Sequence, residues 1–193
     1  MIRVATVVDL DAIMRIERRS FPTDAWSAEM MAAELASPHG RYLVDVEPST
    51  GSPAPIGGEV VVGYGGVRAL HGSADSDIQT IALDAEHRGS GRGRALLRAL
   101  LAEAEGRGAR EVFLEVRADN PVAHGLYASE GFAEIGRRAG YYQPDDVDAV
   151  IMKLDLTARD PSVLRTDSGD PHESAGSVDD ARHDPEIGKG SDD

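Results

Sequence analysis

The 193-residue sequence contains no cysteine. This absence excludes a catalytic thiol, a disulfide framework and any cysteine-ligated zinc site, and it fits a reducing compartment. The sequence also has no run of 18 apolar residues and no apolar N-terminal segment of the kind that directs secretion. We therefore expect a cytoplasmic protein without a membrane span, a secretion signal or a bound metal.

The sequence also has no excess of basic residues: its net charge at pH 7 is −14. Residues 157–193 are rich in Asp, Ser, Gly and Pro and carry 4 basic against 10 acidic side chains, which predicts a disordered acidic tail. Residues 1–156 are long enough for one folded domain and carry 16 basic against 24 acidic side chains. This acidity argues against nucleic-acid binding and favours a basic partner, with a purely solubilising role as the alternative.

The domain is organised around a strand, a glycine-rich turn and a helix. Residues 78–83 are an apolar run typical of a strand, and residues 88–93 read Arg-Gly-Ser-Gly-Arg-Gly before a helical pattern begins. Glycines let the backbone approach an anion, and the N–H groups of the first helical turn point towards it. The stretch therefore predicts a pyrophosphate site, with an ordinary connection and solvated arginines as the alternative. It lacks the Gly-Lys-[Ser/Thr] of nucleotide triphosphatases and the acidic residue of dinucleotide folds.

Periodicity and cap residues predict the element order βααβββαβαββ, a mixed α/β domain. Ser27 and Asn120 are typical helix caps. Three glycines in the strand at residues 59–70 suggest a bulge or the close approach of another backbone. Gly125, inside a helix, costs about 1 kcal/mol against alanine and suggests close packing. Residues 141–142 are expected in a loop between the last two strands.

This order, with Arg-x-x-Gly-x-Gly between the fourth strand and the third helix, resembles the GCN5-related N-acetyltransferase (GNAT) superfamily over about residues 1–156. Three narrower segments are Leu-Glu-Val-Arg-Ala-Asp-Asn at 114–120, Leu-Tyr-Ala-Ser-Glu-Gly-Phe at 126–132 and Arg-Ala-Gly-Tyr-Tyr at 138–142. They are similar to segments of the bacterial ribosomal-protein-alanine N-acetyltransferases (the RimI type). The resemblance implies a single-domain GNAT fold, in which helices flank a mixed, mostly antiparallel, twisted sheet.

The resemblance also implies acetyl-CoA as the acetyl donor. In such folds the fourth strand pairs with the pantetheine arm as if with another strand, and the pyrophosphate lies on the glycine-rich turn. Asn120 matches a family asparagine that contacts the cofactor, beside its role as a helix cap. The contacts carry over to Ile81, Ala82 and Leu83 for the arm, to Gly89, Ser90, Gly91, Arg92, Gly93 and Arg94 for the pyrophosphate, and to Asn120.

Direct attack of an amine on a thioester requires two proton transfers. A base takes a proton from the amine, and an acid gives one to the departing thiolate. By the resemblance, Glu115 is the base, acting through a water molecule, and Tyr127 is the acid. Without the resemblance, Glu115 is an exposed strand-face carboxylate paired with Arg117, and Tyr127 is a core residue whose hydroxyl is satisfied.

An α-amine suits one carboxylate base better than a lysine does. The pKa of an α-amine, about 7.7–8, leaves roughly a tenth of the molecules neutral at pH 7. A lysine has a pKa of about 10.4, so removing its proton costs about 3.3 kcal/mol more. The resemblance implies, as the first hypothesis, acetylation of the N-terminal alanine of ribosomal protein S18, a basic partner, and the amine chemistry agrees with an α-amine substrate. The alternatives are a small-amine (polyamine or aminoglycoside) or lysine acetyltransferase, and a non-catalytic acyl-CoA-binding module.

The peptide entrance is expected to include two aromatic pairs. The segment Phe-Pro-Thr-Asp-Ala-Trp at 21–26 is longer than the family's usual Phe-Pro-Trp, which puts the substrate in question more than the activity. The alternatives are that the first pair only joins two helices and that the second pair only packs a hairpin loop. The candidate substrate-binding residues are Phe21, Trp26, Tyr141 and Tyr142.

Overall fold

The computed structural model describes residues 1–49 and 58–158. The predicted tail lies outside the described residues except for its first two, and so do residues 50–57 between the second and third strands. In the described part, no helix is long and apolar enough to cross a membrane.

Seven strands and four α-helices follow one another in the predicted order within the described residues. Their bounds are β1 Ile2–Val4, α1 Leu10–Ser20, α2 Ala28–Ala36, β2 Gly40–Pro48, β3 Glu59–Ala69, β4 Asp75–Leu83, α3 Arg92–Gly106, β5 Glu111–Arg117, α4 Pro121–Ser129, β6 Ala133–Tyr142 and β7 Val147–Asp155.

The strands form one sheet in the order β1-β2-β3-β4-β5-β7-β6. Every neighbouring pair is antiparallel except β4 and β5, which are parallel. A parallel pair needs a crossover connection, and α3 supplies it. The mixed, mostly antiparallel α/β fold predicted from the sequence is therefore confirmed.

Helices cover both faces of the sheet, and successive strand residues therefore pack into two different cores. On β2, Val44 packs with α1 and α2, whereas its neighbour Leu43 packs with α3. The apolar stripe predicted for α3 is fully buried, as Leu96 and Leu100 illustrate. Tyr127 of α4 belongs to the same core as α3. The helices α1 and α2 thus cover one face, and α3 and α4 cover the other.

Two predicted helix caps are confirmed, and one predicted loop is wrong. The Ser27 hydroxyl accepts a hydrogen bond from the backbone of α2, and the Asn120 side chain accepts one from the backbone of α4. Tyr141 and Tyr142 are not in a loop but end β6, because Tyr142 pairs with Val147 across the hairpin. The hairpin therefore turns only after the two tyrosines.

The atoms nearest to a Cβ on the glycines of β3 belong to side chains, and backbone oxygens of β4 follow at 3.1 Å for Gly65 and 3.2 Å for Gly63. A Cβ on Gly66 would lie 2.4 Å from the Tyr42 ring, and one on Gly65 would lie 2.8 Å from Leu100 of α3. The predicted bulge does occur beside them, in the register between β3 and β4. Gly125 differs, since nothing lies within 4 Å of a Cβ built there. The expected close packing around Gly125 is therefore wrong.

Gly125→Ala should stabilise the protein, whereas Gly66→Ala should destabilise it. In the first case alanine gains up to about 1 kcal/mol of helix propensity in free space. In the second case the added methyl must displace the Tyr42 ring, at a cost of about 1–3 kcal/mol. Urea unfolding of the two variants measures both changes. A loss of stability in Gly125→Ala would mean that its helix meets something in solution that this structure does not contain.

Candidate active site

A cleft of about 790 Å³ opens where β4 and β5 separate. The two strands pair over four residues, ending with Ile78 and Leu114. β4 nevertheless continues to Leu83 and β5 to Arg117. Beyond the last pair, β4 is joined only to β3 among the described residues. Alternate N–H and C=O groups of its second half therefore face the cleft without a partner strand.

A β-bulge at Gln79 coincides with this separation. The adjacent β3 residues Gly66 and Val67 pair with Thr80 and Ile78, so Gln79 is one residue more than β3 matches. A bulge of this kind bends the strand and increases its twist. The bulge explains locally why β4 leaves its parallel neighbour at this point.

Two buried tyrosines hold the residues of the bulge. The Tyr42 hydroxyl donates to Oε1 of Gln79 at 2.9 Å, and the Tyr64 hydroxyl lies 3.3 Å from Oγ1 of Thr80. Burial raises the pKa of both phenols, so both keep their protons near neutral pH. The strand β3, which pairs with β4, and the strand β2 beyond it thus fix the side chains at the start of the cleft.

The glycine-rich turn follows β4 and begins α3. Gly89 and Gly91 have φ values of +75° and +86°, in the left-handed region that favours glycine. The first helical hydrogen bond runs from the N–H of Ala95 to the carbonyl of Gly91 at 3.0 Å. The N–H groups of the three residues before Ala95 have no acceptor in the helix, so this helix start can bind an anion.

Arg92 and Arg94 are engaged by carboxylates of the protein, whereas Arg88 donates to the carbonyl of Leu83 and to the hydroxyl of Ser20. Arg92 Nη1 lies 2.7 Å from Oδ2 of the buried Asp45, and its Nη2 pairs with Glu47. Arg94 Nε lies 3.0 Å from Oε1 of Glu130. These carboxylates balance much of the positive charge that the sequence predicts here. Backbone N–H groups are therefore the donors that the turn offers to an anion.

Tyr127 enters the cleft from α4 and is almost fully buried. Its ring contacts Phe132 edge to face, with 5.8 Å between the centroids. Its hydroxyl has no hydrogen-bond partner among the residues described, so the alternative of a satisfied core hydroxyl does not hold. Burial raises the pKa of Tyr127 to about 12. The phenol therefore keeps its proton throughout the physiological range.

Glu115 projects from β5 into the cleft and is half-buried. Its Oε1 accepts a hydrogen bond from Nη1 of Arg138, on β6. The alternative pairing with Arg117 is wrong, because Arg117 binds Asp119 and Asp145 instead. Arg117 ends its strand, where carboxylates of the adjoining loops reach it. The second oxygen of Glu115 accepts no hydrogen bond from Arg138.

Aromatic side chains from opposite ends of the chain line the mouth of the cleft. Phe21 and Trp26 come from the connection between α1 and α2, and Tyr141 and Tyr142 come from the end of β6. The two tyrosine rings meet edge to face at 5.2 Å. The guanidinium of Arg138 lies 5.6 Å from the Tyr141 ring, within the range of a cation–π contact.

The structure brings half of the predicted site residues to this cleft and leaves the others beyond its end. The cleft is lined by Phe21, Trp26, Ile81, Glu115, Asn120, Tyr127, Tyr141 and Tyr142. The remaining ones, which continue along β4 into the turn, are Ala82, Leu83, Gly89, Ser90, Gly91, Arg92, Gly93 and Arg94.

The sequence interpretation missed three acidic residues of the cleft, which are Glu17, Asp24 and Asp77. Glu17, on α1, is only 2% exposed and accepts a hydrogen bond from the N–H of Trp26 at 2.9 Å. Asp77, on β4, is exposed, and its partial desolvation raises its pKa. Glu17 follows Ile13 by four residues and therefore shares its buried face. An acidic residue on that apolar stripe was the available signal for Glu17, whereas Asp77 had none.

Comparison with known proteins agrees with this fold. Residues 10–132 match the family model described as Acetyltransferase (GNAT) family. N-alpha-acetyltransferase RimI of Mycobacterium tuberculosis is 37% identical over 150 residues, which cover 77% of this chain and 79% of the relative. The ribosomal protein bS18-alanine N-acetyltransferase of Escherichia coli K12 is 35% identical over 153 residues, covering 77% and 93% of the two chains.

A solved structure supports the same relationship. The ribosomal-protein-S18-alanine N-acetyltransferase from Escherichia coli has a TM-score of 0.67 and 30% identity to this chain, covering 81% of this chain and 93% of the other. The chain belongs to the GNAT family of acetyltransferases. It is an acetyl-CoA-dependent N-acetyltransferase, as its motifs predicted.

Glu115→Gln should lower the pKa of Tyr141. In the wild type the contact with the Glu115 carboxylate is the main reason that the pKa of Tyr141 is raised, because a negative neighbour disfavours the phenolate. The neutral amide removes that cause. The pKa of Tyr127, which burial alone raises, should stay at about 12. NMR titration of ¹³C-labelled tyrosine side chains measures both values, and an unchanged Tyr141 would refute the contact.

Proposed function

We propose that this enzyme transfers the acetyl group of acetyl-CoA to the N-terminal α-amine of a protein, and that its substrate is the N-terminal alanine of ribosomal protein S18. The observation that carries the proposal is that Glu115 and Tyr127 line one cleft at the point where β4 leaves β5. The names of the bacterial relatives, which match about three quarters of the chain, support the choice of substrate.

The second half of β4 and the turn after it fit acetyl-CoA. The backbone of Ile81, Ala82 and Leu83 lies at the unpaired edge of β4, where a strand-like pantetheine arm finds hydrogen-bonding groups. The helix start between Gly89 and Arg94 suits a pyrophosphate, with backbone N–H groups as donors. When bound, acetyl-CoA supplies a thioester carbonyl that an amine can attack.

Glu115 is proposed as the base. One carboxylate oxygen is held by Arg138, which fixes the orientation of the side chain. The other oxygen is the acceptor for the proton of the amine, relayed by a water molecule. The carboxylate and the amine therefore need not touch, which leaves room for a substrate backbone in the cleft.

Tyr127 is proposed as the acid. Its side chain lines the cleft, its hydroxyl has no hydrogen-bond partner among the described residues, and the raised pKa keeps the proton on the oxygen until a thiolate leaves. Because the folded-state pKa exceeds the ordinary value of about 10, the protonated phenol contributes its full stability below that pH. This contribution is lost as the pH rises towards about 12. Physiological pH changes therefore leave the acid in its active form.

The substrate proposal rests on charge and on amine chemistry. The folded part of the chain is acidic, and a basic ribosomal protein is an electrostatically complementary partner. An α-amine needs less help to lose its proton than a lysine does, because its pKa is lower by about 2.4 units. The proposed machinery has one carboxylate for that task.

A direct assay of the purified enzyme tests the substrate. With acetyl-CoA, a peptide that begins Ala-Arg should release CoA and gain one acetyl group on its α-amine, located by fragmentation mass spectrometry. The same peptide with a blocked N-terminus and an internal lysine is the control and should stay unmodified. Absence of CoA release from the Ala-Arg peptide contradicts the proposal. Much faster turnover of a polyamine or an aminoglycoside favours the small-amine alternative.

Glu115→Gln should lower kcat by about 10²–10⁴-fold, the usual contribution of a general base, with acetyl-CoA binding unchanged. Glu111→Gln is the matched control. Glu111 lies on the same face of the same strand, pairs with Lys153 at 2.6 Å and does not line the cleft. Stopped-flow or steady-state kinetics at saturating peptide compare the two variants. Full turnover by Glu115→Gln would show that another group removes the proton.

A further inference from the structure

Glu17 is a buried acidic side chain in the wall of the cleft. It is 2% exposed, yet it lines the same cavity as Trp26 and Tyr127. Its two carboxylate oxygens accept hydrogen bonds from the N–H of Trp26, at 2.9 Å, and from the hydroxyl of Tyr64. These contacts fix the carboxylate between α1, β3 and the connection that forms the mouth of the cleft.

No arginine or lysine of the described residues forms an ion pair with Glu17. By contrast, Glu115, another carboxylate of the cleft, is bound to Arg138. Removing a carboxylate from water without a cation costs free energy that two neutral donors only partly recover. The fold therefore retains a buried carboxyl group without a cationic partner where an apolar side chain would pack more easily.

The carboxyl group of Glu17 also affects the pKa values of two nearby tyrosines. It contributes to the raised pKa of Tyr64 and of Tyr42, after burial. Asp77 also lines the cleft, but it is exposed and faces Arg68 across the strand pair, so solvent and a cation weaken its field. Glu17 is screened much less, because protein surrounds it on nearly every side.

We propose that the Glu17 carboxylate is the fixed negative charge by which the cleft recognises a cationic amine substrate. This inference rests on the proposed function and adds to it a residue that determines specificity. An α-amine at neutral pH arrives mainly as an ammonium ion. Glu17 attracts that cation into the cleft, and Glu115 then takes its proton. Glu17 is not the proton acceptor, since both of its oxygens already accept hydrogen bonds.

Binding in a non-reacting complex tests this role. The enzyme is saturated with CoA, which has no acetyl group to transfer, and is titrated calorimetrically with a peptide beginning Ala-Arg or with its Nα-acetylated form. Wild type should bind the free amine roughly tenfold more tightly than the acetylated peptide, as expected for a charge-assisted contact. Glu17→Gln keeps the size of the side chain and one acceptor oxygen for the N–H of Trp26, and its NH2 can donate to the Tyr64 hydroxyl. This variant should lose the preference for the free amine.

Glu105→Gln is the matched control, because it makes the same chemical change on an exposed residue of α3 outside the cleft. It should keep the wild-type preference. In turnover assays Glu17→Gln should raise the KM for the peptide roughly tenfold without lowering kcat, because the proton acceptor is intact. A merely structural role predicts instead a loss of CoA affinity and of kcat together with thermal stability.

The outcomes separate the two proposals. If wild type and Glu17→Gln both prefer the free amine to the same degree, the role of Glu17 is refuted and the proposed function stands. If wild type binds neither peptide, the proposed substrate is refuted, and the inference falls with it. Should Glu17→Gln fold poorly, the double variant Glu17→Leu with Tyr64→Phe replaces the buried pair by apolar side chains and carries the same expectation.

Discussion

The separation of β4 from β5 is the constraint on which the site depends. Two parallel strands that stayed paired to their ends would leave no cleft and no free backbone edge. The extra residue at Gln79 ends that pairing, and the hydroxyls of Tyr42 and Tyr64 hold the bulge from the neighbouring strands. The opening connects the two faces of the sheet. Side chains from α1 on one face and from α4 on the other can therefore line the same cavity.

Charges around the site serve two distinct purposes. Near the glycine-rich turn, Arg92 and Arg94 bind carboxylates and so tie α3 to β2 and to the end of α4. Anion binding is left to backbone dipoles, which need no side-chain ordering. Inside the cleft, Glu115 forms an ion pair with Arg138, whereas Glu17 forms none with a described residue. The same residue types thus fasten the scaffold in one region and, by our proposal, attract a cationic substrate in the other.

Local rules predicted most of the fold. The caps Ser27 and Asn120 and the helical pattern after the glycine-rich turn depend on neighbours in sequence, and all are confirmed. The length of β6 was missed, because its pairing with β7 is a tertiary contact that carries its tyrosines past the expected turn.

The site was less predictable than the fold. The motifs pointed to Glu115 and Tyr127, and both line the cleft, but the partner of Glu115 comes from 23 residues away on another strand. No spacing rule connects Arg138 to it. The bulge at Gln79 depends on the register with β3, and Glu17 becomes significant only once Trp26 and Tyr64 surround it.

The unpaired half of β4 has a consequence for the amount of folded protein. A gap in the middle of a sheet is an internal edge, and a ligand that completes it binds the native chain but not the unfolded one. By mass action, each tenfold excess of such a ligand over its dissociation constant adds about 1.4 kcal/mol to the free energy of unfolding. The resistance of this enzyme to proteolysis would then rise and fall with the supply of acyl donor.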